Sequence, residues 1–294
     1  YNDNDPNQHE PGDTRPIGFD IYETGFAWTF PMVEDVVFLK FEVKNCTTYT
    51  MRKMIIGVCI DADVGSVMDD VTGLILRKWF PAINDTVKYV VWTSDQNPPP
   101  GWGAVAFMLI KAPRNLGLTA FKCFTIDIDP PRDWARYMML AGYDYRTGRY
   151  EPYDSINPIP ADKRFMMCSG QFDLVPGQKE ELVIAVIGAD FNISDTIPLA
   201  RRARDARWFW DNIVKIKEKG IVTHRNEDIQ LLVMPNPVRG RALIFYTIPE
   251  SGPVLLKVFD ASGRLVKILF EGNKNAGNYH LSFPQDIGSG VYFM

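Results

Sequence analysis

An all-β protein of two antiparallel β-sandwich domains is the fold class this sequence predicts, with one long helix in the larger domain and an immunoglobulin-like arrangement in the small C-terminal one. Three observations predict it. Short β-prone runs punctuated by turn residues recur from Ile17 to Gly188, apolar residues alternate strictly in the C-terminal stretch, and a single segment shows helical periodicity.

Residues 1–16 are polar and contain Pro6, Pro11 and Pro16, which favours an extended arm over a packed element. The larger domain is expected over 17–222. Its candidate strands are 19–27, 35–44, 54–60, 88–92, 104–110, 121–126 and 181–187, with Pro98-Pro99-Pro100-Gly101 and Asp129-Pro130-Pro131-Arg132 as breaks. A helix is expected over 195–219, because Leu199, Ala203, Ala206, Trp210 and Ile213 advance by alternating steps of four and three. Arg201, Arg202, Arg204 and Arg207 take its other faces; Ser194 or Asp195 caps its start and Gly220 its end. Such a helix lies across the sandwich with Trp210 as anchor. A basic recognition surface is the alternative, diluted by Asp205, Asp211 and Glu218. After a short linker, the second domain occupies 229–294, where Ile244, Tyr246 and Ile248, then Val254, Leu256 and Val258, line one face of two strands.

At 294 residues and 46% hydrophobic content the chain can bury a sizeable core. A net charge of −4 provides no basic field for nucleic acid. No run of 18 or more apolar residues is present, so no membrane span is expected, and the start at Tyr1 without a signal peptide suggests a processed product.

The best candidate for chemistry is Asp61-x-Asp63-x-Gly65 followed by Asp69-Asp70. Alternating carboxylates around a glycine turn can converge on a hard cation, which suggests a structural calcium ion, with solvated loop carboxylates as the alternative. The twelve-residue EF-hand pattern is absent, since the twelfth position from Asp61 is Thr72. Asn2-Asp3-Asn4-Asp5 and Asp127-x-Asp129 are weaker versions. Cys46, Cys59, Cys123 and Cys168 are too scattered for a zinc site, and disulfide pairing or free thiols are both open; Cys59 and Cys123 sit in apolar runs where a buried thiol is natural.

Catalytic constellations are thin. His9, His224 and His280 form no His-Glu-x-x-His motif, and neither a Gly-x-Ser-x-Gly elbow nor a phosphate-binding Gly-x-x-x-x-Gly-Lys loop occurs. A carboxylate pair for glycoside hydrolysis depends on a separation that sequence does not show. Trp79, Trp102 and Trp134, in or beside loops like Trp92, are candidates for stacking a sugar ring, with core packing as the alternative. Asn45, Asn84 and Asn192 head sequons for N-linked sugar.

The order Met234-Pro235-Asn236-Pro237, strand, Pro249-Glu250-Ser251-Gly252, strand, Asp260-Ala261-Ser262-Gly263-Arg264, strand, Ala276-Gly277, strand, Ser289-Gly290-Val291-Tyr292-Phe293 resembles the C-terminal sorting domain of proteins exported by the type IX secretion system of Bacteroidetes-like bacteria. That resemblance implies an address and anchor at the outer cell surface. Residues 1–215 are similar to a recurrent module of uncharacterised secreted proteins of thermophilic and candidate-phylum bacteria, through 18–45, Ile60-Asp61-Ala62-Asp63-Val64-Gly65 with Asp69-Asp70, and 169–177. No activity is implied by that similarity. The expectation is therefore a non-enzymatic extracellular structural or adhesive protein, surface-attached and associating with itself or with cell-surface components; the alternative is a carbohydrate-binding or accessory module of a larger secreted hydrolase. Sorting domains continue past Gly-Val-Tyr-Phe into a last strand, whereas this chain stops at Met294. An open strand edge would let residues 1–16 of a neighbouring copy dock and build a filament, unless the tail is merely trimmed.

Overall fold

The computed structural model describes residues 17–28, 32–99, 103–130, 132–156, 158–191, 195–214, 230–234, 236–238 and 242–294. It is an all-β protein whose sheets are antiparallel throughout. The chain divides into two compact units, Tyr1–Ile213 and Val214–Met294. The expected arm, 1–16, and the expected linker lie outside the described residues.

In the larger unit, β1 (Phe19–Ala27), β2 (Val36–Asn45), β4 (Asp70–Phe80), β5 (Asp85–Asp95), β6 (Ala104–Lys111) and β9 (Lys179–Ala189) form a six-stranded sheet in the order β1-β2-β9-β6-β5-β4. A second sheet, β3-β8-β7, is made of β3 (Met51–Asp61), β7 (Ala120–Thr125) and β8 (Lys163–Leu174). Ile60, Val91, Phe107, Leu109, Phe165, Met167, Leu182 and Ile184 meet in a core that draws on both sheets. Alternation is visible in β8: Phe165 and Met167 enter that core, while Met166 and Cys168 face a second one with Met139 and Leu140. This second cluster is closed by α1 (Asp133–Leu140), which packs on β3, β7 and β8.

Two strands and one helix escape the sequence pattern for a physical reason. β4 and β8 are apolar on both faces, so their hydrophobic residues run continuously and show no period of two. Helix α1 has only eight residues, with Ala135 and Met139 as its buried positions, too short a stripe to show helical periodicity.

The expected long helix is present as α2 (Ile197–Phe209), continued by one wider turn over Trp210–Val214. Leu199, Ala203, Ala206, Trp210 and Ile213 are all buried, as the spacing required, and α2 covers the six-stranded sheet against β9, β5 and β6. Trp210 anchors it, its ring centroid 5.4 Å from that of Phe38 on β2. The N-cap position falls at Thr196, not at Ser194 or Asp195, and Thr196 makes no side-chain cap; Asp195, one residue earlier, accepts the N–H of Ile197 at 2.9 Å, and Ser194 and Gly220 lie outside the described residues. Arg207 departs from its expected place on a solvent-facing side. It reaches down to β6, where the ladder to β9 skips between Leu109 and Lys111. Its guanidinium donates to the Leu109 carbonyl at 2.6 Å and to the Ile110 carbonyl, satisfying backbone groups at the bulge. Burial pushes the pKa of this side chain down.

Among its described residues the smaller unit holds two three-stranded sheets: β10 (Gln230–Met234), β11 (Leu243–Ile248) and β14 (Gly277–Ser282) in the order β10-β11-β14, and β12 (Gly252–Asp260), β13 (Leu265–Lys274) and β15 (Tyr292–Phe293) in the order β13-β12-β15. Ile244, Tyr246, Ile248 and Val258 are buried, in keeping with the alternation.

Replacing Arg207 with Met removes both hydrogen bonds and leaves the bulge carbonyls under cover without donors. We expect a loss of about 2 kcal/mol in unfolding free energy, measured by urea denaturation.

Candidate functional site

The acidic cluster gathers where β3 ends, β4 begins and β8 is about to start. Asp61 is the last residue of β3, Asp63 lies in the following loop, Asp70 opens β4, and Asp162 immediately precedes β8. One oxygen each from Asp61, Asp63 and Asp162 lies within 4.8 Å of the other two. Ligands on opposite sides of one calcium ion, at about 2.4 Å each, stand up to about 4.8 Å apart, so the three oxygens fit around a single cation of that size. The loop is folded back by Asp70, whose Oδ1 accepts the Val64 N–H at 3.1 Å, while Gly65 turns with φ of 83°. The Ala161 N–H, donated to the Asp70 carbonyl at 3.2 Å, stitches the Asp162 segment to β4.

Of the four expected acidic residues, Asp61 and Asp63 are in the converging set, whereas Asp69 and Asp70 are outside it. Asp70 is completely buried. Burial pushes its carboxyl up to about 6, against the stabilising Val64 N–H, and the charges of Asp63 and Asp69 push the same way as burial. Asp70 Oδ2, Asp69 Oδ1 and Asp162 Oδ1 are all buried without a hydrogen-bond donor. A buried acceptor left without a donor costs about 1–3 kcal/mol, and more if charged, so such a cluster is a recurrent sign of a ligand. Positive charge at the rim comes from Arg164, 3.0 Å from Asp61 and 3.3 Å from Asp129, and Lys163 is buried nearby with its pKa lowered by burial. Asp162 was missed because it stands 99 residues from Asp63 in a chain where only local spacing is legible.

The other candidates do not converge. Trp79, at the end of β4, and Trp134, on α1, are exposed, and Trp134 meets Tyr145 edge-on. Trp102 lies outside the described residues. Trp92 is not a loop residue: it is buried in β5, opposite Gly73 on β4, with Phe191 at 4.3 Å. A Cβ at Gly73 would come within 2.1 Å of its ring, so glycine is what lets the indole lie on the sheet. Asn45 is an unsuitable sugar acceptor in the folded chain. It is buried, its amide donates to the Tyr49 carbonyl at 2.9 Å and to the Leu174 carbonyl at 2.8 Å, and its oxygen accepts from the N–H and hydroxyl of Thr47. Asn84 is exposed in a tight turn with φ of 50°, and Asn192 lies outside the described residues.

All four cysteines are free. Cys59 is exposed on β3 despite its apolar neighbours, because its side chain points away from the core that Ile60 enters. Burial pushes the thiols of Cys123 and Cys168 up to about 11 and about 12. A shallow groove of about 290 Å³ beside β9 is lined by opposite charges that satisfy each other: Lys179 with Glu42 at 2.6 Å, Arg114 with Glu180 at 2.5 Å, and Lys111 with Glu181. Among the described residues no helix is long and apolar enough to cross a membrane. In comparisons with protein families, curated proteins and solved structures, nothing matches this chain.

Asn45→Ala leaves the carbonyls of Tyr49 and Leu174 without their side-chain donor, and the expected cost is about 2–3 kcal/mol by denaturant titration. With a thiol reagent at pH 8, Cys46 and Cys59 should react in the folded protein. Cys123 and Cys168 should react only on adding denaturant, since a thiol with pKa near 12 is only about one ten-thousandth thiolate at that pH. Equal labelling of all four in the native state would contradict the burial.

Proposed function

We propose that this chain is a non-enzymatic extracellular structural or adhesive protein, held at the outer cell surface, that associates with further copies through its C-terminal sandwich. The observation that carries the reading is a set of apolar side chains exposed on the sheet of β12, β13 and β15. Leu255, Ile268 and Phe293 are exposed there, and apolar side chains gathered on one sheet favour burial against a partner. The resemblance of 229–294 to a type IX sorting domain supports the extracellular placement. A segment of a neighbouring copy, such as the extended arm expected over residues 1–16, would make the contact head-to-tail.

The groove beside β9 supports a non-catalytic role, because its charged side chains are engaged with one another. Carbohydrate binding is the second reading, favoured by the exposure of Trp79 and Trp134, 53% and 55%. They belong to separate layers, β4 in the six-stranded sheet and α1 against the three-stranded one, which suits single stacking contacts better than an extended platform.

Sedimentation of the full chain across a concentration series tests the leading reading. We expect concentration-dependent association that falls at least tenfold in affinity in Leu255→Lys/Ile268→Lys and on deleting residues 1–16. A chain that stays monomeric throughout, or association indifferent to all these changes, would sink it.

A further inference from the structure

Four carboxylates drawn from distant parts of the larger unit share one corner, and their chemistry narrows what belongs there. All the converging donors are oxygens, with no imidazole or thiolate among them, a set that selects hard cations over zinc or copper. We propose that Asp61, Asp63 and Asp162 bind one calcium ion, with the buried carboxylate of Asp70 as the inner wall of the site, and that the ion ties the neighbouring ends of β3 and β8 to the loop that leads into β4.

Two independent observations join here. The first is convergence, since three ligand oxygens stand within one coordination sphere. The second is the state of Asp70, fully buried with Oδ2 lacking any donor and with the Asp63 carboxylate inside hydrogen-bonding reach of its own. The buried Asp70 carboxylate stands beside the exposed one of Asp63, like charges repel, and a divalent cation supplies positive charge at the point where they meet. Arg164 already engages Asp61 through Oδ2, which leaves the other oxygen for the ion. Calcium is preferred to magnesium because the donors come from a strand end, a loop and a segment before another strand. Calcium accepts such irregular sets and completes its six to eight oxygens with water, whereas magnesium demands near-octahedral geometry at about 2.1 Å.

The consequence is mechanical. Asp61 ends β3 and Asp162 immediately precedes β8, neighbours in the three-stranded sheet, and Asp70 opens β4 in the six-stranded sheet. An ion at this corner ties the neighbouring ends of β3 and β8 to the connection that leads from β3 into β4. The folded state is then stabilised by mass action as calcium rises, since the unfolded chain brings no such set together.

The test uses the full chain freed of metal with a chelator and titrated with calcium chloride, and in parallel with magnesium chloride. Calorimetry should give one calcium per chain, with a dissociation constant of about 10⁻⁴–10⁻³ M as in extracellular modules. The thermal midpoint of the larger unit should rise by about 3–6 °C at a tenfold excess over that constant. Asp63→Asn and Asp162→Asn, folded by circular dichroism, should each weaken binding at least tenfold, whereas Asp127→Asn, in an exposed turn, should leave it unchanged. Absence of binding by the parent chain, binding indifferent to both ligand variants, or a tighter response to magnesium would overturn the proposal.

Discussion

The larger unit depends on one constraint: its central strands must be buried on both faces at once. In β9, Leu182 and Ile184 point to the three-stranded sheet, while Val183, Ala185 and Ile187 point to the side that α2 covers, and all five are buried. A sheet with two apolar faces cannot be left as one half of a simple sandwich, because one face would remain in water. Helix α2 removes that face from solvent and α1 does the same for the outer side of the three-stranded sheet. The result is a sandwich with a helix laid on each outer surface.

That layering explains the positions of its polar groups. The bulge in β6 breaks the ladder where α2 passes, and Arg207 enters a largely apolar layer because carbonyls are waiting there. Asn45 works in the same way at the end of β2, joining the chain after β2 to β8 through one side-chain amide. The acidic corner is the exception. There the strand ends bring carboxylates together faster than donors, and three oxygens remain buried and unmatched. Groups that oppose stability in the bare protein point to a function because nothing in packing requires them.

The smaller unit shows a different logic. Its inner faces are closed by alternating residues such as Ile244, Tyr246 and Val258, yet Leu255, Ile268 and Phe293 on the sheet of β12, β13 and β15 are exposed.

Much of the fold was legible in the sequence because alternation and helical spacing are local: β1, β2, β6 and β9, the buried stripe of α2 and the paired faces of β11 and β12 all follow from side chains two, three or four residues apart. β4 and β8 were not legible, since burial on both faces erases the alternation that marks a strand. Of the candidate site, the sequence showed Asp61 and Asp63 because they are neighbours. It could not show that Asp162 joins them, that Asp70 is buried beside them, that Asn45 is sealed, or that Trp92 lies over Gly73. Local periodicity is written in consecutive residues and so was determined by the sequence alone. Convergence of distant carboxylates, and the burial that deprives them of donors, arise only when strands far apart in the chain are packed side by side, and the tertiary structure decided both.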